Sequence, residues 1–230
     1  MAAERREFDG IVKRFGGFKK MDWEAEFAGE TEGNGDRFVL IANGPGSGLV
    51  SAALSRKIDV DGLISTGFCG ALDPALRVGD IVRTDPNPLP VSGGSVLEQP
   101  GRECQRAGLD PFSGDLCSID RVVVTAREKR ELRENTGARA VDMESAAIAQ
   151  KAAGWGLPFQ AVRAVSDTAD DDLPLDFNLF RDAEGRFSRS RIALAAVGRP
   201  FTAVPALLRL DRNCRRAAES LGNFFAHSRL

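Results

Sequence analysis

Two acidic residues on either side of one methionine are the first candidates for chemistry in this sequence. Asp142 and Glu144 flank Met143 in GARAVDMESAAIAQKAAGWG, where a helix is predicted to begin. Carboxylates at a helix start offset the positive end of the helix dipole. The small, apolar residues that follow predict a helix packed closely on its neighbours, so we expect at least one carboxylate to point inward. A buried carboxylate needs partners, which are either protein groups or a ligand.

Three predicted strands end in further residues that could line a site. Gly46 lies in the turn GPGSG after VLIAN, Cys69 follows LIST, and Asp167 ends AVRAVSD. Ligands of open α/β sheets gather at the carboxyl ends of the strands, so we expect these segments to share one crevice. GPGSG fits the dinucleotide-binding fingerprint poorly because its third glycine comes one residue early. Its backbone N–H groups could surround an anion, and a tight turn without a ligand is the alternative.

The composition excludes several classes of function. The chain has 230 residues, a formal net charge of -2, one histidine (His227) and no tyrosine. This charge gives no basic face for nucleic acid. One histidine makes a histidine-based triad or metal site a poor hypothesis, so acid–base work falls to carboxylates. We expect no metal and no organic cofactor.

The cysteines and the apolar stretches bear on the compartment. Cys69, Cys104, Cys117 and Cys214 form neither a CxxC pair nor a zinc-ligand spacing, which predicts reduced thiols in a cytoplasmic protein, with Cys69 a small buried residue. The charged start MAAERREF predicts no signal peptide. The stretch RIALAAVGRPFTAVPALLRL is interrupted and too short to span a bilayer. We expect it to form a core or interface helix, with peripheral lipid contact as the alternative.

Strand and helix patterns alternate along the chain. We predict helices over 4–15, after the turn GPGSG, over 127–137, over 142–153 and through most of 188–228, and strands over 37–44, 61–72, 77–85, 118–126 and 158–167, with 86–117 mostly loop. The strand 77–85 is expected to pair with 61–72. This alternation indicates an α/β fold with a parallel or mixed sheet covered on both faces. No linker divides the chain, so residues 1–230 are predicted to form a single domain.

Three segments in this order carry a resemblance to a known family. GLISTGFCGALDPALRVGDIV, AVDMESAAIAQ and AVRAVSDTADD resemble the nucleoside phosphorylase/nucleosidase superfamily, which includes purine nucleoside phosphorylases and methylthioadenosine nucleosidases. The match covers most of residues 37–172. It implies a phosphorylase/hydrolase-like fold with a twisted mixed sheet and helices on both faces. It also implies cleavage of the N-glycosidic bond of a nucleoside, a small-molecule substrate, and a homo-oligomer.

The resemblance assigns roles to individual residues. Glu144 would accept hydrogen bonds from the ribose 2′- and 3′-hydroxyls, Met143 would pack on the sugar, and Asp142 would be structural. Asp167 would hydrogen-bond or protonate the departing purine at N7, because a base leaves more easily once protonated. Ser166 would orient Asp167.

The remaining implied contacts are less specific. Phe68, Cys69 and Val122 would touch the substrate, and Gly46 would contribute to a phosphate site. Many relatives place a serine at the position of Phe68, and phenylalanine cannot donate that side-chain hydrogen bond. Arg163 is expected to form an internal ion pair.

The N-terminal segment departs from the family pattern. Family members begin with a short strand before a helix like the one at MAAERREF, and this first strand is missing from the sequence given. Glu7 matches the helix acid that activates water in hydrolytic members. A simply exposed Glu7 is the alternative.

The C-terminal part resembles that of hopanoid-associated phosphorylases, which act on adenosylhopane. This resemblance would give the apolar stretch around Phe201–Leu208 a purpose as cover for a lipid-like 5′ substituent. The sequence therefore predicts phosphorolysis of a purine nucleoside with a modified 5′ group, with inorganic phosphate as co-substrate. The alternatives are a hydrolytic methylthioadenosine or adenosylhomocysteine nucleosidase and a non-catalytic binding protein on the same fold.

Overall fold

The protein is represented by a computed structural model that describes residues 1–84 and 116–228. Its helices are α1 Asp9–Arg14, α2 Ser47–Ala53, α3 Ala126–Thr136, α4 Ser145–Trp155, α5 Arg189–Val197 and α6 Ala203–His227, with 3₁₀ turns at Arg5–Phe8 and Phe177–Phe180. Its strands are β1 Lys19–Lys20, β2 Phe27–Gly33, β3 Asp36–Ala42, β4 Leu63–Ala71, β5 Ile81–Arg83, β6 Leu116–Ser118, β7 Ala140–Asp142 and β8 Phe159–Asp167.

The strands form two sheets. β1, β2 and β3 make an antiparallel sheet, and the order of the second sheet is β5-β8-β4-β7-β6. Within the second sheet β4 is parallel to β8 and β6 to β7, whereas β5 runs antiparallel to β8 and β7 to β4. The sheet is therefore mixed, as the sequence predicts.

Helices cover both faces of the five-stranded sheet, which confirms the α/β prediction. α2 and α4 pack on one face around the apolar residues Val50, Ile148 and Val165. α1 and α6 pack on the other face around Ile11, Leu221 and Val162. Every residue of β8, polar residues included, is buried, because the strand has neighbours on both edges and helices on both faces.

The segment before the first 3₁₀ turn connects the two sheets. Ala2 forms a parallel bridge with Ala42 at the end of β3, and the Ala2 N–H donates to Ile41 O at 3.0 Å. On the other side, the Thr66 N–H of β4 donates to Met1 O at 2.8 Å. Residues 1–3 thus place the following turn, which carries Glu7, against the end of β4.

Three predicted elements are wrong in their extent, and one of them is the strand predicted over 77–85, which spans only Ile81–Arg83. The strand predicted over 118–126 ends at Ser118, and beyond it Asn178 bonds both the N–H and the C=O of Val122, at 2.8 and 2.9 Å. A side chain therefore satisfies backbone groups that a neighbouring strand would otherwise bond. The helix predicted over 142–153 begins at Ser145 instead, because the chain up to Asp142 forms β7.

One strand pairing differs from the prediction, and one hairpin was not predicted. β5 pairs with β8 rather than with β4. β4 lies between β8 and β7 in the sheet order, which leaves the outer side of β8 for β5. The hairpin of β2 and β3 was not predicted, although its two-residue loop, Asn34-Gly35, is a strong hairpin signal. Both loop residues adopt positive φ, 54° and 91°.

The remaining helix predictions are confirmed, and one cysteine prediction is wrong. α3 ends at Gly137 in the left-handed conformation, as the sequence indicates. Cys69 and Cys214 are free and buried, but Cys117 is disulfide-bonded, so the prediction of four reduced thiols fails there. The predicted loop 86–115 and Cys104 lie outside the described residues. Across 1–84 and 116–228, no helix is both long and apolar enough to cross a membrane.

Candidate active site

A buried arginine organises the carboxyl ends of β8, β4 and β7. Arg163 lies on β8 with none of its surface exposed, on the same side of the strand as Val165 and Asp167. Its Nη2 contacts Asp142 Oδ2 at 2.7 Å, and its Nη1 contacts Glu144 Oε2 at 3.2 Å. A buried charge is tolerated only where it is paired, and here one guanidinium holds two carboxylates. Arg163 therefore forms the internal ion pair that the sequence predicts, and Asp142 is one of its two partners.

Glu144 is held by the protein on both carboxylate oxygens. It stands at the N-cap position of α4, and its Oε1 accepts a hydrogen bond from the Gly46 N–H at 3.0 Å. Burial raises the pKa of the Glu144 carboxyl, and the nearby Asp142 and Glu7 raise it further, whereas Arg163 lowers it. The net result is a pKa of about 7. Glu144 is thus a buried acid whose proton is exchangeable near neutral pH.

Glu7 is buried in the same region, and not exposed. Its Oε1 accepts the Phe68 N–H and its Oε2 accepts the Glu4 N–H, both at 2.7 Å. The bond to Glu4 is half of a capping box that closes the 3₁₀ turn, so local sequence fixes the direction of this side chain. Burial raises the pKa of Glu7 above its ordinary value, although Arg163 and the two backbone N–H donors act against this.

Gly67 makes room for Glu7. Its φ is +130°, which disfavours other residues, and a Cβ at this position would lie 2.5 Å from Glu7 Oε1. The glycine of the STGFCG segment thus brings the backbone of β4 against a carboxylate. The sequence shows the glycine but gives no indication of what approaches it.

Asp167 ends β8 beside a buried lysine. The Lys129 Nζ on α3 lies 2.6 Å from Asp167 Oδ2, and Ser166 Oγ donates to Asp167 Oδ1 at 2.8 Å. Lys129 was not among the predicted site residues, although the helix that carries it was predicted. The available signal was its spacing from Leu132, three residues on, which packs in an apolar cluster on the same side of the helix.

These residues surround one cavity of about 190 Å³. Of the predicted site residues, the cavity wall includes Glu7, Phe68, Cys69, Val122, Met143, Glu144, Ser166 and Asp167. Gly46 is not part of the wall, since its N–H is turned to Glu144 and its neighbour Pro45 faces the cavity instead. The structure thus brings together residues from five separate segments of the chain.

Two side chains on the wall have properties that restrict their chemistry. Burial raises the pKa of the Cys69 thiol, so this cysteine is a neutral group and not a reactive thiolate. The Arg6 guanidinium lies over the Phe68 ring, 5.8 Å from its centre. In the described parts of the chain, no group of three His, Cys, Asp or Glu side chains could hold a metal ion.

A larger cavity, of about 570 Å³, lies elsewhere, between β3 and the start of β4. Its wall is formed mainly by apolar residues and contains none of the residues predicted for the site. The smaller cavity is therefore the candidate active site, because it holds the paired and buried carboxylates.

The fold and this carboxylate-lined cavity define a protein of the nucleoside-cleaving phosphorylase type. The sequence model of the Phosphorylase superfamily matches residues 23–86 and 94–197, so the chain belongs to this superfamily and is an enzyme acting on nucleosides. Glu7 lies before the matched residues.

One curated relative is similar in sequence, and two solved structures share the fold. The chain is 31% identical over 172 residues to the 5′-methylthioadenosine/S-adenosylhomocysteine nucleosidase of Staphylococcus aureus, an alignment covering 63% of this chain and 75% of the relative. The structure of futalosine hydrolase of Helicobacter pylori is similar, with a TM-score of 0.63, 17% identity, and coverage of 97% of this chain and 92% of that one. The methylthioadenosine/adenosylhomocysteine nucleosidase of S. pneumoniae gives a TM-score of 0.60, 21% identity, and coverage of 98% and 96%.

Proposed function

We propose that the protein hydrolyses the N-glycosidic bond of a purine nucleoside with a modified 5′ group, releasing the free base. The observation that carries this proposal is the buried Glu7 carboxylate on the wall of the same cavity as Glu144 and Asp167. In this proposal Glu7 is the general base that activates water, Glu144 accepts hydrogen bonds from the ribose, and Asp167 contacts the purine.

Glu144 is assigned to the ribose. A carboxylate offers two acceptor oxygens, which suit the two hydroxyls of a vicinal diol. Arg163 and the Gly46 N–H hold this carboxylate in place before a substrate arrives, so little reorganisation is needed on binding. Met143, Phe68 and Val122 would surround the sugar and its 5′ carbon.

Asp167 is assigned to the purine. It lies on the wall of the same cavity as Glu144, and Ser166 and Lys129 hydrogen-bond its carboxyl group. The bond to the base breaks with development of positive charge on the ribose. Carboxylates already in place around the cavity stabilise that charge without rearranging.

Water is the nucleophile that this cavity supports best. The raised pKa of Glu7 brings it closer to the range in which a carboxylate takes a proton from water efficiently. A phosphate ion needs N–H or cationic donors, and the buried charged residues that line this cavity, Glu7, Glu144 and Asp167, are all acids. The Gly46 N–H, expected to bind phosphate, is already bonded to Glu144. Hydrolysis therefore replaces phosphorolysis as the main hypothesis, and the names of the relatives above support it.

The 5′ substituent is assigned only as a class. The Staphylococcus aureus relative is named for methylthioadenosine and adenosylhomocysteine, which supports a thioether at this position. A lipid-linked substituent is a second candidate, supported by the large exposed apolar residues on α5 and near the start of α6, namely Leu194, Val197, Phe201 and Leu208. Homo-oligomer formation stays a prediction of the family resemblance.

The test is product analysis with and without phosphate. We expect the protein to release adenine from 5′-methylthioadenosine in phosphate-free buffer, with methylthioribose as the second product and no stimulation by added phosphate. A 5′-alkyl adenosine with a long chain, assayed in parallel, tests the lipid-linked candidate. Release only in the presence of phosphate, with the sugar 1-phosphate as product, would contradict hydrolysis.

A further inference from the structure

The exposed large apolar side chains are confined to one part of the protein surface. In residues 1–84 and 116–228, all of them lie between positions 179 and 208. The most exposed is Phe201, in the turn between α5 and α6, with 92% of its surface accessible to solvent. On α5, Leu194 is 74% exposed and Val197 is 70% exposed. Exposed apolar side chains that gather in one place mark a site of interaction with a protein or a membrane.

These side chains form a continuous outer stripe on the hairpin of α5 and α6. A buried apolar cluster joins α5 to the first turns of α6, so the inner faces of the two helices are covered. Residues three or four positions apart lie on the same face of a helix. Leu194 and Val197 therefore share one exposed face of α5, and Val204 and Leu208 share one exposed face of α6. Phe201 connects the two faces at the turn.

Arginines extend this stripe on both helices, on the side away from the turn. Arg191 lies three residues before Leu194, and Arg212 lies four residues after Leu208, so each continues the exposed face of its helix. Arg199 lies in the turn itself and is exposed. Within the described parts of the chain, the side chains of Arg199 and Arg212 form no ion pair. Their charges are thus available to an anionic partner.

The hairpin differs in charge from the rest of the chain. Residues 188–216 hold seven arginines and one acidic residue, Asp211, so their formal charge is +6, whereas the other residues together carry -8. Acids offset part of this charge at the base of the hairpin, where Arg189 Nη2 lies 3.9 Å from Glu4 Oε2 and Arg209 Nη2 lies 3.6 Å from Asp171 Oδ1. A surface that combines apolar side chains with unpaired arginines is complementary to anionic headgroups above an acyl layer.

We propose that the α5–α6 hairpin is a docking surface for a bilayer that contains anionic phospholipids. Phe201 and its apolar neighbours enter the boundary between headgroups and acyl chains, and Arg191, Arg199 and Arg212 contact the lipid phosphates. Apolar burial and electrostatic attraction add in this arrangement, and neither alone gives firm attachment. The hairpin contributes no residue to the wall of the candidate active site, so this inference does not depend on the proposed function.

Co-sedimentation with phospholipid vesicles tests the contribution of charge. We expect the parent protein to bind vesicles of phosphatidylcholine mixed with phosphatidylglycerol about tenfold more tightly than vesicles of phosphatidylcholine alone, and added salt should reduce the difference. Arg199→Gln combined with Arg212→Gln should lower affinity for the mixed vesicles by about tenfold. The matched control is Lys19→Gln combined with Arg130→Gln, which removes the same charge from exposed positions on β1 and α3 and should bind as the parent does.

The apolar contribution is measured with Phe201→Ser combined with Leu208→Ser. Both positions are exposed, so we expect the fold to be retained and binding to the mixed vesicles to fall by about tenfold or more. Circular dichroism of the variant checks its fold.

Three results would overturn the proposal: no binding of the parent to either vesicle, equal binding to both, or unchanged binding by the serine variant. Sedimentation velocity identifies one other occupant. A parent dimer that ignores vesicles, and that the serine substitutions convert to monomer, would show that a second copy of the chain covers this face. The vesicles contain no nucleoside, so their binding is measured independently of adenine release, and either result can fail without the other.

Discussion

At the scale of single residues, the site is a set of buried carboxyl groups, most of which contact a buried cation. Arg163 holds Asp142 and Glu144, and Lys129 holds Asp167, while Glu7 is bound only by backbone N–H groups. The sequence motifs identified the acids, because carboxylates at strand and helix ends stand out among apolar neighbours. They did not identify Lys129, since a lysine in a charged helix has the same pattern whether its side chain is solvated or buried.

The raised pKa of Glu144 predicts a pH-dependent stability. Its pKa is 4.5 in an ordinary carboxyl and about 7 in the folded protein. The folded state therefore binds more protons than the unfolded state between these values, so this group's contribution is complete below about pH 4.5 and is lost as the pH rises through 7. The loss is on the order of 3 kcal/mol.

Urea unfolding of the parent and of Glu144→Gln at pH 5 and pH 8 measures this contribution. We expect the free energy of unfolding of the parent to fall more steeply from pH 5 to pH 8 than that of the variant, because glutamine does not titrate. Equal slopes for the two proteins would show that Glu144 titrates normally in the folded state.

At the scale of elements, one close helix crossing positions the turn that carries Glu7. A Cβ at Gly10 of α1 would lie 1.9 Å from Ala218 O of α6, and a Cβ at Gly222 of α6 would lie 2.2 Å from Gly10 O. Only glycine on both helices permits this separation. The crossing matters for function, because α1 directly follows the 3₁₀ turn of Glu7.

Gly222→Ala should therefore destabilise the fold and lower activity together. We expect a loss of about 1–3 kcal/mol in the free energy of unfolding, typical of overpacking. The control is Gly154→Ala in α4, where a Cβ meets no atom within 4 Å. That variant should gain about 0.5–1 kcal/mol from helix propensity. Urea denaturation measures the free energy of unfolding of both variants. A Gly222→Ala variant as stable as the parent would show that α1 and α6 can move apart without loss of stability.

Sequence patterns predicted whole elements better than their limits and pairings. β8 was recognisable from its apolar residues, among them Phe159, Val162 and Val165. α3 was recognisable from Thr125, whose side chain forms a capping box with Glu128, and from Gly137 at its end. The strand predicted past Ser118 failed, because Val122 bonds to the distant side chain of Asn178, and no local pattern shows such a partner. The partner of β5 likewise depended on which side of β8 was free.

At the scale of the whole molecule, the α/β fold and the superfamily followed from the sequence, and the chemistry required the structure. Three motif segments placed most of the site residues, and the cavity then showed Glu7 to be buried among them. This single placement changes the expected reaction from phosphorolysis to hydrolysis. It depended on contacts between residues 61 positions apart, Glu7 and Phe68, which periodicity and spacing do not report.

The most direct test of the account is the rate of adenine release from 5′-methylthioadenosine by Glu7→Gln in phosphate-free buffer. Because the variant lacks the general base that takes a proton from water, kcat should fall by about 10²–10⁴-fold with little change in KM. Asp9→Asn, a matched acid-to-amide change at an exposed position at the start of α1, should keep the parent rate. A folded Glu7→Gln variant that releases adenine within about twofold of the parent rate would contradict the assignment of Glu7 and the hydrolytic mechanism built on it.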